Sequence, residues 1–184
     1  GHNNKLVNKA ILNQLKNGIS FSLPNKLEIE VSELLKKHIP SAEMVRFGKN
    51  GNDATTAAIR LARHYTGKNN ILFCGYHSWQ DWYVGKTSKN SGVPGEISKL
   101  SHRFIYGDKK SIDKLFKKFA NKIACVIIDP LPGVESKPNK NFLKYLEKKC
   151  KEKKIVYIFD EVVCGFRYLD KSVQGNTGIK PDLS

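Results

Sequence analysis

The chain has 184 residues, of which 40% are apolar and 27% charged, enough to bury one core and too apolar for a disordered chain. Lys+Arg is 32 against Asp+Glu 17, a formal net charge of +15, a balance that raises nucleic acid or an anionic membrane as partner. No apolar run approaches the roughly 20 residues that span a bilayer, and no apolar core of a secretory signal follows His2-Asn3-Asn4-Lys5; the cysteines, none in a C-x-x-C pair and two inside apolar runs, lead to the expectation of a reduced, cytoplasmic setting.

In chain order, Leu6, Ala10, Ile11 and Leu15 recur at helical spacing before Gly18, and Leu27 to Ile39 reads as a second amphipathic helix ended by Pro40. Met44 to Phe47 is expected as a short strand. Ala54 to Tyr65 is a strong helix closed by Gly67, and Asn70 to Cys74 a strand. Residues 76 to 101 are rich in Gly, Ser, Asn and Pro and hold Trp79, Trp82 and Tyr83; such an irregular stretch often carries function. Arg103 to Tyr106 is expected as a strand and Lys110 to Phe119 as a helix. Ile123 to Ile128 and Ile155 to Phe159 are uninterrupted apolar strands flanking a helix from Asn141 to Lys153. Strands without polar alternation are covered on both faces. The fold class expected is therefore α/β, a mostly parallel sheet flanked by helices.

Several chemistries drop out. The lysine runs around 109–118 and 148–154 fall on polar helix faces without interleaved Arg or aromatic residues, the pattern of a solvated surface rather than a nucleic-acid groove. Cysteines 74, 125, 150 and 164 form no C-x-x-C pair, and the five histidines lie too far apart for a zinc site, so no metal is expected. Gly85-Lys86-Thr87-Ser88 resembles the tail of a P-loop, but position 80 is Gln where that motif needs Gly.

Two features remain. Both apolar strands deliver acids, Asp129-Pro130 and Asp160-Glu161, to the carboxyl ends where open parallel sheets bind ligands. Asn50-Gly51-Asn52-Asp53 opens the best helix with capping residues and free N–H groups, which suits an anion. Taken alone, Asp160 reads first as a helix cap or a solvated turn acid, and Asn50 to Asp53 as plain capping.

Together these residues resemble the class III pyridoxal-phosphate aminotransferases, closest to the glutamate-1-semialdehyde 2,1-aminomutase-like branch. The resemblance rests on Val45 to Thr55 with Ala58 to Arg63, on Gly75-Tyr76-His77-Ser78-Trp79, on Ile158 to Arg167, and on Gly178 to Leu183, in that order. It implies the fold-type I large domain, incomplete. Residues 1–40 would be part of an N-terminal helical segment, and residues 41–184 a partial cofactor domain cut before its Schiff-base lysine. The chain then reads as an internal fragment of a transaminase or aminomutase that moves an amino group between an amino donor and a carbonyl acceptor, as a homodimer. The cofactor would be pyridoxal 5'-phosphate. Asp160 would bond its pyridine nitrogen, Val162, on the same side of the strand, and Tyr76 would cover the two ring faces, and Gly51 and Asn52 would hold the phosphate. No catalytic residue is expected within the chain, and Lys180 does not match the cofactor lysine. The sequence departs from the family at Asn50, Asn52, Ser78 and Asp129, where Ser, Ser or Thr, Gly and Glu are usual. The alternative is a lysine-free, non-catalytic relative that binds an anion or partner at the Gly51 helix end.

Overall fold

The computed structural model describes residues 2–133, 135–167 and 171–184. Two compact units divide the chain, Gly1–Leu34 and Leu35–Ser184. The first holds helix α1 (Lys5–Leu15) and most of α2 (Lys26–His38). The Asn4 side chain caps α1 by accepting from the Leu6 and Val7 N–H groups. Leu6, Val7, Ile11, Leu12 and Leu15 are all exposed.

The second unit continues with α3 (Gly51–Thr66), β1 (Asn70–Cys74), α4 (Asp81–Val84), α5 (Gly95–Ser98), β2 (Ser101–Arg103), α6 (Lys109–Lys118), β3 (Ile123–Ile128), α7 (Lys140–Lys153), β4 (Val156–Phe159) and α8 (Val173–Thr177). The four strands form one sheet in the order β2-β1-β3-β4, parallel at every pairing. Successive strand residues alternate between two cores, as the twofold period of a strand requires. Leu72, Val126, Ile128, Tyr157 and Phe159 pack with Ile112 and Phe116 of α6 and Phe142, Leu143 and Leu146 of α7. Ile71, Phe73, Cys125, Ile127, Val156 and Ile158 pack with Ile59 and Ala62 of α3, and with Trp82 and Tyr83. Both faces are covered, which is why β3 and β4 carry no polar alternation.

Four expectations about elements need correction. Met44 to Phe47 forms no strand. Met44 and Phe47 are exposed, so this short run buries too little to hold a sheet edge. The strand placed at Arg103 to Tyr106 lies at Ser101–Arg103. The Phe104 N–H still donates to the Phe73 carbonyl (3.0 Å), but Tyr106 leaves the ladder, its hydroxyl donating to the Pro130 carbonyl (2.9 Å) and accepting from the Asn139 N–H (3.0 Å). The stretch 76–101 is not irregular throughout, since it contains α4 and α5. Finally, α3 begins at Gly51 rather than Ala54, because the Asn50 side chain accepts from the Asp53 N–H (3.1 Å) and caps it three residues earlier.

Candidate functional site

The carboxyl ends of β1, β3 and β4 and the first turn of α3 surround a cleft of about 290 Å³. Asn50, Gly51, Asn52 and Thr55 line it from α3; Tyr76, His77, Ser78 and Trp79 from the turn after β1; Asp129 from the end of β3; and Asp160, Val162 and Val163 from the segment after β4. All five residues expected at a cofactor, Gly51, Asn52, Tyr76, Asp160 and Val162, stand around this one space.

Capping at Asn50 makes Gly51 and Asn52 the first two helical residues, whose N–H groups have no intrahelical acceptor. A Cβ on Gly51 would sit 2.7 Å from Val162 Cγ2, so only glycine lets the α3 terminus meet the β4 segment. Asn52 is buried, and its Oδ1 finds no hydrogen-bond partner. Two free backbone donors at the positive end of a 16-residue helix fit a phosphate, whereas the orphaned Asn52 Oδ1 is an acceptor that calls for a donor.

Opposite lies Asp160, 8% exposed. Its N–H donates to the Ile128 carbonyl (2.8 Å), while its Oδ1 accepts from the Val162 N–H (3.1 Å). That short turn ends the strand, so Val162 does not share a strand face with Asp160 as expected. It reaches the cleft from a turn instead and packs on Gly51. Oδ2 of Asp160 lies 2.7 Å from His77 Nδ1, and His77 Nε2 lies 3.1 Å from the Cys74 carbonyl oxygen. Sequence reasoning quoted His77 in a motif and gave it no role; only its position three residues past the end of β1 hinted at one.

Asp129 is equally buried. Burial pushes its carboxyl above the ordinary range, opposed by the Leu131 N–H bond and reinforced by the nearby Asp160; that bond to Oδ1 measures 3.0 Å. The Cys164 thiol is also pushed up, first by burial and then by the nearby Asp129. Gly75, at φ +110°, admits no side chain, because a Cβ there would lie 2.6 Å from Asp129 Cβ. Glu161 turns away from the cleft. It accepts from the Val173 N–H and the Gln174 side chain, and burial raises it.

Tyr76 and Trp79 are exposed on the cleft rim, whereas Trp82 and Tyr83 are buried behind it against the His77 ring. The aromatic stretch is thus half rim and half plug. None of the arginines at 46, 60, 63, 103 and 167 lines the cleft. Lys180 stands elsewhere, 3.3 Å from Glu43, beside a larger groove of about 1450 Å³ along α7 and β4. That groove holds neither of the strand-end acids; its acids are Glu147 and Asp182, and Asp182 accepts from the Tyr157 N–H (2.8 Å). Among the described residues, no three His, Cys, Asp or Glu side chains gather as a metal site. Nor, among the described residues, is any helix long and apolar enough to cross a membrane.

Comparison with known proteins places the chain in a family. The profile of the aminotransferase class-III family matches residues 1–183. The chain belongs to the class-III aminotransferase family. Among its relatives, the glutamate-1-semialdehyde 2,1-aminomutase of Wigglesworthia glossinidia brevipalpis is 37% identical over 199 residues, covering 100% of this chain and 46% of that protein. An omega-transaminase from Sphaerobacter thermophilus superposes with a TM-score of 0.87 at 30% identity, over 99% of this chain and 46% of the other. A transaminase solved with PLP bound superposes at 0.89 with 27% identity, again over 99% and 46%. The chain therefore spans about half the length of the relatives it matches.

Proposed function

We propose that this chain supplies the cofactor-binding part of a pyridoxal 5'-phosphate-dependent aminotransferase or aminomutase, which moves an amino group between an amino compound and a carbonyl compound. The observation that carries the reading is the convergence of Gly51, Asn52, Tyr76, Asp160 and Val162 on one cleft.

Bound there, pyridoxal phosphate would supply an electron sink for the pair left at a substrate carbon that loses its proton. The chain's own residues would hold and tune it. Gly51 and Asn52 would donate backbone N–H groups to the phosphate, with the Asn52 side-chain NH2 able to add a third contact. Asp160 would accept from the protonated pyridine nitrogen; a buried carboxylate favours that charged form. Tyr76 would cover one ring face, and Val162, packed on Gly51, the other. Trp79 on the rim narrows the entrance. The reacting lysine is assigned to no residue of this chain.

The curated relatives named as glutamate-1-semialdehyde aminomutases, at 37–39% identity, make that semialdehyde the first substrate to try, with a simple amine donor second. Exposed apolar side chains on α1, Leu6 and Leu12 among them, support assembly as a homodimer, and four free buried cysteines support a reducing, cytoplasmic setting. The deciding experiment adds pyridoxal phosphate to the protein and records the visible spectrum. The expected result is a shifted cofactor band that Asp160→Ala removes. A spectrum identical to free cofactor, or a shift indifferent to Asp160→Ala, would overturn the reading.

A further inference from the structure

The turn that carries the chain out of the cleft after β1 holds a residue that the fold alone does not favour. Ser78 sits at φ +72°, in the left-handed region where a Cβ meets the backbone and glycine does not. The conformation is imposed from both sides. Before Ser78, the buried His77 ring is engaged by Asp160 and the Cys74 carbonyl. After it, α4 sets Trp82 and Tyr83 into the core. Glycine would make the same turn without strain, and glycine is what the resembled family usually places here. What serine adds is a hydroxyl. Ser78 is half-buried and lines the cleft. Among the described residues its hydroxyl has no hydrogen-bond partner, and it is not sealed away from the cleft. The cleft is also short of cations. Neither Lys nor Arg lines it, and two acids, Asp129 and Asp160, do. An oxyanion there is held by neutral donors and the α3 end, so each donor counts.

We propose that Ser78 is a ligand-contacting residue: its hydroxyl donates a hydrogen bond to an oxyanion bound in the cleft, and the strained turn persists for that contact. The hydroxyl joins the Gly51 and Asn52 N–H groups as a donor from a different element of the fold. Two oxyanions share the required chemistry, the phosphate drawn to the α3 end and the carboxylate of an amino acid joined to the ring. The identity of the ligand rests on the cofactor reading above; the unpartnered donor and the strain do not.

Two variants separate the hydroxyl from the strain. Ser78→Ala removes the first and keeps the second, and Ser78→Gly removes both. Calorimetry with inorganic phosphate, pyridoxamine 5'-phosphate and the reduced adduct N-(5'-phosphopyridoxyl)-L-alanine is expected to show both variants binding at least one probe about tenfold more weakly than the wild type. Ser78→Gly is expected to melt about 2–4 °C above Ser78→Ala. A loss shared by all three probes assigns the contact to the phosphate, and a loss confined to the adduct assigns it to the substrate carboxylate; either supports the proposal. Unchanged binding of every probe would overturn it. So would a loss in only one variant, which marks the shape of the turn rather than the hydroxyl, and so would equal melting, which means serine does not strain the turn. A wild type that takes inorganic phosphate through Ser78 but neither ring-bearing probe defeats the cofactor reading and keeps this one. A wild type that binds the ring-bearing probes regardless of Ser78 does the reverse, and one that binds none of the three overturns both.

Discussion

The ends of β3 and β4 present the same residue in the same place and treat it differently. Ile128 pairs with Phe159 across the two strands, and each is followed by an aspartate buried against the cleft. Asp160 receives an imidazole on one oxygen and a backbone N–H on the other. Asp129 receives one backbone N–H, and burial pushes it up. Position in the sheet thus delivers a carboxylate to the ligand side, and only the neighbours decide what it does there. A carboxyl with an imidazole partner is an oriented acceptor; one without, beside another acid, tends to keep its proton.

Removing the imidazole's partner should have the largest effect. Asp160→Ala leaves the buried His77 ring without its partner on Nδ1, and breaking a buried pair typically costs about 3 kcal/mol or more. Urea unfolding of the chain is expected to show that loss, and a change under about 1 kcal/mol would mean the two strand ends differ less than their partners indicate. Gly75→Ala attacks the other end. Its Cβ would collide with Asp129 at 2.6 Å from a backbone at φ +110°, so a loss of about 2 kcal/mol is expected in the same measurement.

The smallest effect, and the most specific, is a pH dependence. Because the folded pKa of Asp129 is raised, its contribution to stability is complete below the ordinary carboxylate value. It is lost as pH climbs from that value through the raised one, where the unfolded chain has ionised and the buried group has not. Asp129→Asn keeps an acceptor for the Leu131 N–H and cannot ionise. The variant is therefore expected to lose less thermal stability than the wild type between pH 4 and pH 8. Glu161 is also raised by burial, but it is present in both proteins and cancels in the difference. A parallel pair of curves would show that Asp129 ionises freely.

The sheet was legible because β3 and β4 are apolar at every position, a pattern only double-sided burial explains. The site was legible in pieces: a capped helix start, an acid after each strand, and a family-like order that joined them. What local pattern could not supply was contact across distance. His77 and Asp160 are separated by 83 positions, and no periodicity links them. Val162 was read on a strand that had already ended, because the Asp160 carboxylate folds back on its own backbone two residues on. The N-terminal helix shows the converse. Leu6, Ile11 and Leu15 have helical spacing and form a helix, yet all remain exposed; periodicity tells which face seeks cover and not what covers it.

Titration of the isotope-labelled chain with pyridoxamine 5'-phosphate, followed at the backbone amides, asks whether one ring joins the two sides of the cleft. Gly51 and Asn52 on α3 and Tyr76 and Val162 on the facing loops are expected to shift together along one binding curve. A response confined to Gly51 and Asn52, or two curves with separate midpoints, would mean the helix end is an anion site on its own and that Asp160 serves something else.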